Sequence, residues 1–132
     1  MSDIRVHHLG DDRYRIAIRG HDVLVDQPIE EGGRDTAPTP TELFVAGLAG
    51  CVAFYAGRYL RRHDLPTEGL AVDCAFGFAP DRPARVGKVE VVVRLPEGFP
   101  DERRKALLSV VEHCTVHNSL VQPPEVGIAL ER

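Results

Sequence analysis

Two of the three cysteines in this 132-residue sequence lie in apolar segments, where a thiol either packs in a core or acts as a nucleophile. Cys51 stands midway along an uncharged stretch, and Cys114 ends an apolar pattern that recurs three, four and seven residues after Leu107. Free cysteine is among the most frequently buried residue types, so packing alone explains either residue. Because the reactive species is the thiolate, an active Cys51 needs a nearby cation, which its own helix does not supply.

Two inward-facing thiols on two buried helices can also form a pair, since a disulfide requires only that their Cα atoms come within about 4.4 to 6.8 Å. Cys74 alternates with Val72 and Phe76 along a strand and is predicted to pack in the core. Three cysteines without C-x-x-C spacing are unlike a secreted disulfide framework or a zinc motif. Any disulfide is therefore expected to be transient rather than structural.

The other polar residues near the thiols have simple structural explanations. Glu42 completes a Thr-x-x-Glu capping box with Thr39 and precedes Cys51 by nine residues, which places it on the opposite helix face, about 13 Å away along the axis. His113 and His117 flank Cys114 and could lower its pKa or bind a metal, but without a third ligand they are a weak metal signal. We predict no metal site and no cofactor.

The first half of the chain is predicted to contain a sheet, a loop and a helix. Apolar residues at every second position, broken by Gly and Asp, predict a three-stranded antiparallel meander with one solvated face over residues 4–25. The polar residues 26–40 predict a surface loop. A helix is predicted over residues 39–60; it is uncharged over 43–57 but too short in apolar length for a membrane span, so we expect a buried core helix.

The second half is predicted to add three strands and one helix. Residues 70–78 and 86–95 are predicted to form a hairpin that extends the sheet. A second helix is predicted to begin at Pro100 and to carry Cys114 near its end, facing inward. After a break at two prolines, residues 125–130 predict a final strand. This mixture of elements predicts an α+β fold.

The length, net charge and N-terminal residues of the chain indicate its domain number, its partners and its location. The composition fits a single domain over residues 1–132. A formal net charge of −4 gives no electrostatic footprint for nucleic acid. The N-terminal residues lack a basic region followed by an apolar stretch, so we expect a cytoplasmic protein that does not associate with a membrane.

Two motifs at a distance from each other resemble one known family. PTPTELF at residues 38–44 runs into LAGC at 48–51, and CTVHNSL at 114–120 begins 63 positions after Cys51. The pairing resembles the OsmC/Ohr family of osmotically induced and organic hydroperoxide resistance proteins, in its OsmC-like branch. The resemblance extends over nearly the whole chain. It implies an α+β fold in which antiparallel sheets wrap two central buried helices within an intertwined homodimer.

The resemblance also implies a chemistry for the two thiols. In peroxidase members, the cysteine matching Cys51 attacks the O–O bond of a hydroperoxide and becomes a sulfenic acid, and the cysteine matching Cys114 condenses with it to a disulfide. A dithiol or lipoyl-type reductant then restores both thiols. In these members an arginine held by a glutamate keeps the first cysteine ionised.

The supporting arginine and glutamate are carried over less directly than the thiols. The glutamate of the hydroperoxide resistance branch follows the helix-start proline directly; that position is Thr41 here, and Glu42 comes next. Several arginines lie in the N-terminal region where the family arginine is expected, and Arg34 is the favoured one. The others are Arg13, Arg15 and Arg19.

We therefore expect a thiol-dependent peroxidase that reduces organic hydroperoxides through a Cys51–Cys114 disulfide. Two alternatives stay open. One is a non-catalytic module of the same fold that binds a small hydrophobic ligand, for which Cys51→Ser would keep function. The other is a redox sensor, which would be oxidised without sustained loss of peroxide.

Overall fold

A computed structural model describes residues 3–132, which form five strands, three α-helices and two short 3-10 turns. The chain divides into two units, one ending at Val45 and one beginning at Ala46. Both are mixtures of sheet and helix with antiparallel strand pairing. The predicted α+β class, with antiparallel strands and helices, is thus confirmed.

The first unit begins with the predicted meander. Strands β1 (Ile4–Gly10), β2 (Arg13–Ile18) and β3 (His21–Val25) pair in this order, each antiparallel to the next. The predicted division into one buried and one solvated face is not seen in β1, where Ile4 is 62% and Val6 55% exposed. Within the single chain, alternation of residue type defines the strand without supplying a cover for its apolar face.

The loop after β3 is held together by a buried carboxylate. Asp26 is fully buried and accepts hydrogen bonds from the backbone N–H of Thr36 at 3.0 Å, its hydroxyl at 2.7 Å, and the N–H of Gln27 at 2.7 Å. The bonds from Thr36 above all lower the pKa of Asp26 to about 2. A Cβ on Gly33 would overlap the Gln27 carbonyl oxygen, so the loop closes tightly enough to require glycine there.

Helix α1 (Pro40–Arg62) begins at the predicted capping box. The backbone N–H of Thr39 donates to Glu42 Oε1 at 2.8 Å, and the N–H of Glu42 donates to Thr39 Oγ1 at 3.0 Å. Two backbone donors that the first turn would leave unpaired are thereby satisfied. The sequence prediction of the start of this helix is confirmed.

The faces of α1 differ from the prediction. The helix is 23 residues long and its most apolar window has a mean hydropathy of 1.5, so by length and composition alone it could span a membrane; the expectation that it is too short is wrong. Leu48, Val52 and Ala56 are buried on one side, whereas Gly50 and Phe54 are exposed. The helix is therefore apolar all round but buried on one face only, because the described chain covers only that face.

The core of the second unit lies between α1, a β-hairpin and a short helix. Strands β4 (Ala71–Phe78) and β5 (Val86–Arg94) form a two-stranded antiparallel sheet. Within residues 3–132 this sheet is separate from the first, so the prediction that the hairpin extends it is wrong. The second sheet packs on the core mainly through valines of β5, namely Val89, Val91 and Val93.

Cys74 is exposed, contrary to its predicted place in the core. It lies in the middle of β4, opposite Val91 in register. Of the residues on β4, Val72 near the strand's beginning packs against the core cluster. Strand alternation gave the correct face for Cys74, since Val91 opposite it packs on the core, but Cys74 itself is left uncovered.

The second predicted helix is interrupted. After the 3-10 turn Asp101–Arg103, helix α2 (Arg104–Val111) ends before Cys114, and a third helix α3 (Thr115–Val121) follows. Leu107 and Val111 are buried in the core as their spacing predicted. The apolar pattern runs unbroken across the interruption, which is why it did not reveal where α2 ends.

The predicted final strand is also wrong. Residues 122–132 have no strand pairing, and Val126, Ile128 and Leu130 are 74%, 90% and 97% exposed. A strand requires a partner edge for its backbone hydrogen bonds, and the described chain pairs none with this segment.

The buried carboxylate gives a stability prediction. We expect Asp26→Asn to lower the free energy of unfolding at neutral pH, because an amide cannot accept all the bonds that Thr36 and Gln27 donate. The carboxylate's contribution to the free energy of unfolding is fully present above its ordinary pKa of 3.8 and is lost as the pH falls through about 2. The difference in free energy of unfolding between the wild type and the variant should therefore disappear between these two pH values. Urea unfolding measured from pH 7 to pH 2 tests this. The exposed Asp22→Asn is the control; an equal effect of the two substitutions would contradict the prediction.

Candidate active site

The two cysteines that the sequence singled out come together in the second unit. Cys51 lies on α1 and is half-buried, whereas Cys114 is fully buried. Cys51 packs against the core cluster that contains Cys114, and their side chains are close enough to interact. All three cysteines of the chain are free thiols. The structure therefore brings the two thiols together, and their pairing as a disulfide stays a prediction.

Cys114 is the N-cap residue of α3 rather than a residue within the second predicted helix. Its backbone is extended, and its Sγ accepts a hydrogen bond from the backbone N–H of His117 at 3.4 Å. A side chain at this position faces the N–H groups of the first turn. The prediction that Cys114 faces inward is correct, and the element that directs it there is a cap.

The environment of Cys114 favours the neutral thiol. Burial raises its pKa above the ordinary value of 9.0, because a thiolate loses solvation there. The hydrogen bond from His117 opposes this, while the Cys51 side chain, through hydrogen bonding and charge, raises the pKa further. Charge on Cys51 thus disfavours charge on Cys114. The arrangement therefore favours the protonated form of the buried Cys114.

The segment joining α2 to α3 is fixed by its own side chains. The His113 ring bonds the Ser109 carbonyl oxygen at 2.7 Å, and the Asn118 amide donates to the His113 carbonyl oxygen at 3.0 Å. The His117 ring bonds the Glu112 carbonyl oxygen. Both histidines therefore bind backbone oxygens, and within residues 3–132 no group of three or more His, Cys, Asp or Glu side chains is placed to hold a metal ion.

The sequence prediction did not include the polar groups that lie beside the two thiols. The Tyr55 hydroxyl and Thr115 Oγ1 share a hydrogen bond of 2.8 Å. The guanidinium of Arg58 lies over the Tyr55 ring, with Cζ 4.7 Å from the ring centroid. Tyr55 and Arg58 follow Cys51 by four and seven residues, a helical spacing that identifies one face, so the sequence did contain a signal for them.

The supporting residues carried over from the resemblance have other partners within the first unit. Arg34 forms an ion pair with Asp11 at 2.9 Å, and both side chains are more than half exposed. Glu42 is engaged in the capping box with Thr39. Arg34 and Glu42 thus have separate partners. Their assignment as activating residues stays a prediction.

Two of the alternative arginines have incompletely satisfied side chains. Within residues 3–132, the buried Nε atoms of Arg13 and Arg15 have no hydrogen-bond partner. Buried polar groups without a partner are uncommon and costly. Both residues lie on β2, in the first unit.

An apolar cavity of about 530 Å³ lies in the second unit, beside the core cluster. Leu48 and Val52 of α1 form one wall, and valines of β5 and apolar residues of α2 form the others. Arg104, Glu112 and His117 are its polar lining residues. Val111 and His117 stand three residues on either side of Cys114 in the sequence, but neither Cys114 nor Cys51 lines the cavity.

The fold and the site together define a small α+β protein with two interacting thiols, one on a core helix and one at a helix N-cap. A family model described as OsmC-like protein matches residues 32–129. The chain therefore belongs to the OsmC-like family, and the resemblance expected from the two motifs is confirmed. None of the curated proteins compared with the chain matches it.

Solved structures show the same fold at low sequence identity. A Psychrobacter arcticus protein described as an osmotic stress induced and detoxification response protein is 24% identical, with a TM-score of 0.82 over 90% of this chain and 88% of its own. An organic hydroperoxide resistance protein OsmC from Legionella pneumophila is 19% identical, with a TM-score of 0.69 over 91% and 88%. The organic hydroperoxide resistance protein OhrB of Bacillus subtilis is 17% identical, with a TM-score of 0.61 over 90% and 89%.

The different environments of the cysteines predict different reactivity. Because burial raises the pKa of Cys114 and shields its sulfur, we expect iodoacetamide to label Cys114 more slowly than the exposed Cys74 at pH 7.5. The Cys114 rate should continue to rise with pH above 9, as its raised pKa requires. Peptide mass spectrometry of the native protein measures both rates, and labelling in urea, where the rates should converge, is the control. Equal rates in the native protein would contradict the assignment.

Proposed function

We propose that this protein is a thiol-dependent peroxidase that reduces organic hydroperoxides through Cys51 and Cys114. The observation that carries the proposal is the pair of interacting free thiols, of which one is half-buried and the other fully buried. Membership of a family that includes proteins named for organic hydroperoxide resistance supports the choice of substrate.

The first step is assigned to Cys51 because its side chain is partly exposed and a hydroperoxide can reach it. The Cys51 thiolate attacks one peroxide oxygen, so that an S–O bond forms and the O–O bond breaks. The sulfur is oxidised to a sulfenic acid, and the peroxide is reduced to an alkoxide that takes up a proton and leaves as the alcohol.

The second step is assigned to Cys114. Its sulfur attacks the Cys51 sulfur, an S–S bond forms, the S–O bond breaks, and the leaving hydroxide takes up the thiol proton to depart as water. Burial is the main cause of the raised Cys114 pKa, and conversion of a Cys51 thiolate to a neutral sulfenic acid removes a smaller cause, the charge of Cys51. The first oxidation thus makes the second thiol easier to ionise.

A dithiol or lipoyl-type reductant then exchanges with the disulfide, is itself oxidised, and restores both thiols. Such a cycle suits the reducing cytoplasm, which we propose as the location. Arg34, held by Glu42 or by another carboxylate, is the proposed cation for the Cys51 thiolate. Arg58, on the same helix face as Cys51, is an alternative cation within the second unit.

We further propose that the protein acts as a homodimer without nucleic-acid or membrane partners. Apolar side chains that a second copy could cover are exposed on α1 at Phe54 and along the C-terminal segment at Val126, Ile128 and Leu130. The last three alternate like the buried face of a strand. A two-fold pair would let each copy donate this segment to the other, so that both are covered and the assembly closes.

A second candidate function is the binding of a small apolar ligand without turnover. The cavity walled by Leu48, Val52 and the β5 valines favours it, because its volume and lining are typical of small-molecule sites. In that case the cysteines serve packing only, and Cys51→Ser keeps the function. A redox sensor would share the thiol pair and differ only in lacking sustained turnover.

The dimer proposal predicts an effect of the C-terminal side chains. We expect the wild type to sediment at about twice its 14.5 kDa chain mass. The triple variant Val126→Ser, Ile128→Ser and Leu130→Ser should raise the dimer Kd at least about 100-fold, since three apolar side chains lose their burial. Sedimentation equilibrium across a concentration series measures this, with Glu131→Gln in the same segment as the control. A wild type that stays monomeric at micromolar concentrations would contradict the proposal.

The peroxidase proposal predicts distinct behaviour of three cysteine variants with tert-butyl or cumene hydroperoxide and excess dithiol. Cys51→Ser should abolish consumption, because no nucleophile remains. Cys114→Ser should consume about one equivalent quickly and then turn over slowly, since the sulfenic acid can no longer be resolved within the protein. Cys74→Ser is the matched control and should behave as the wild type.

The outcome also separates the alternatives. Oxidation of the wild type to a Cys51–Cys114 disulfide without sustained consumption with any dithiol would indicate a sensor. Failure of the reduced wild type to consume hydroperoxide or form the disulfide would overturn the peroxidase and leave the binding module.

A further inference from the structure

A hydrogen bond between two uncharged side chains joins α1 to α3 next to the thiol pair. Tyr55 on α1 and Thr115 on α3 share this bond, at 2.8 Å between the hydroxyl oxygens. Tyr55 is one helical turn beyond Cys51, and Thr115 directly follows Cys114. The two elements that carry the thiols are thus connected a second time, beside the thiols themselves.

This bond is the only side-chain hydrogen bond between α1 and α3 within residues 3–132. The other bonds around Cys114 are local: those of His113, His117 and Asn118 join α2, its following turn and α3 to one another. They fix the shape of the turn, and none of them reaches the helix that carries Cys51. Apart from the contact between the two thiols, that connection is made by the Tyr55 hydroxyl.

The Tyr55 ring is itself held in place. The Arg58 guanidinium lies over it at 4.7 Å and over the Phe54 ring at 5.4 Å, and the two rings meet edge to face at 5.7 Å between centroids. Cation–π and edge-to-face contacts of this kind stabilise a single ring orientation. The hydroxyl is therefore preorganised toward α3 before any reaction at the thiols.

Formation of the disulfide requires Cys51 and Cys114 to adopt a particular relative position. Its formation requires the Cα atoms to reach about 4.4 to 6.8 Å with a narrow range of dihedral angles. Cys114 lies in a short segment between two helices, so a fixed position relative to Cys51 must come from contacts across to α1. Apolar packing supplies part of this, and the Tyr55–Thr115 bond supplies a directional restraint.

We infer that Tyr55 is a positioning residue which, through Thr115, holds Cys114 ready to attack an oxidised Cys51. The inference rests on the proposed function. It assigns Tyr55 to the resolving step, in which the S–S bond forms, the S–O bond breaks and water leaves. It assigns it no part in the first step.

Loss of this restraint has a chemical consequence. A Cys51 sulfenic acid that waits longer for Cys114 is exposed to a second hydroperoxide molecule. That molecule transfers an oxygen atom to the sulfur, giving a sulfinic acid and a second molecule of alcohol. Tyr55 therefore protects Cys51 from over-oxidation by shortening the life of the sulfenic acid.

The test compares variants that lose only the hydrogen bond. Tyr55→Phe keeps the ring on which Arg58 stacks, and Thr115→Val keeps the shape of the side chain. We expect each to slow disulfide formation about five- to tenfold, as the loss of one hydrogen bond allows, and to raise the fractions trapped by dimedone or found as sulfinic acid. The rate at which the first equivalent of hydroperoxide is consumed should stay at the wild-type value. Rapid quenching and mass spectrometry measure all three species.

Two further variants separate positioning from general stability. Thr115→Ser retains a hydroxyl and should form the disulfide at close to the wild-type rate. The double variant Tyr55→Phe with Thr115→Val should be no slower than either single variant, because both remove the same bond. Thermal unfolding of every variant establishes that the folded protein is being compared.

The inference is overturned if both single variants form the disulfide at the wild-type rate, if Thr115→Ser is as slow as Thr115→Val, or if the first step slows equally. Failure of the proposed function is a different result. In that case hydroperoxide leaves Cys51 of the wild type unoxidised, and the resolving step never arises.

Discussion

The packing of one face of α1 against α2 and the β4–β5 hairpin is the constraint on which the site depends. It buries Cys114 completely and leaves Cys51, on the flank of the same helix, partly exposed. One thiol is thereby shielded and the other accessible, although both residues are of the same type. Burial also raises the pKa of Cys114, so the neutral form is favoured where solvent is excluded. The proposed order of oxidation follows from this single asymmetry.

The site is held by short-range connections rather than by a network of charges. Cys114 caps α3, the adjoining turn is fixed by bonds to backbone oxygens, and Tyr55 joins α1 to Thr115. Such hydrogen bonds fix the positions of the side chains that they join, but they contribute little electrostatic potential at a distance. A cation is still needed to favour a thiolate on Cys51. Arg58 stacks on the aromatic face beside it, and Arg34 lies in the first unit with Asp11 as its partner.

Three segments of the chain expose apolar surface that nothing in the described chain covers. Apolar side chains are uncovered on the outer face of α1, on β1 and in the C-terminal segment, as at Phe54, Ile4, Val6, Val126, Ile128 and Leu130. Exposed apolar surface of this kind marks an interaction site. The three failures of sequence prediction in these segments have one cause, since each prediction assumed a cover that the described chain does not provide. The proposed homodimer would provide it.

The sequence by itself determined the meander, the capped start of α1, the hairpin and the pairing of two cysteine motifs, because periodicity, caps and turns are local properties. It also contained, at helical spacing from Cys51, the signal for Tyr55 and Arg58. Only the tertiary structure decided that α2 stops before Cys114, that Cys74 is exposed and that residues 125–130 stay unpaired. Those outcomes depend on which surfaces meet, and an apolar pattern records that a residue prefers burial without recording what buries it.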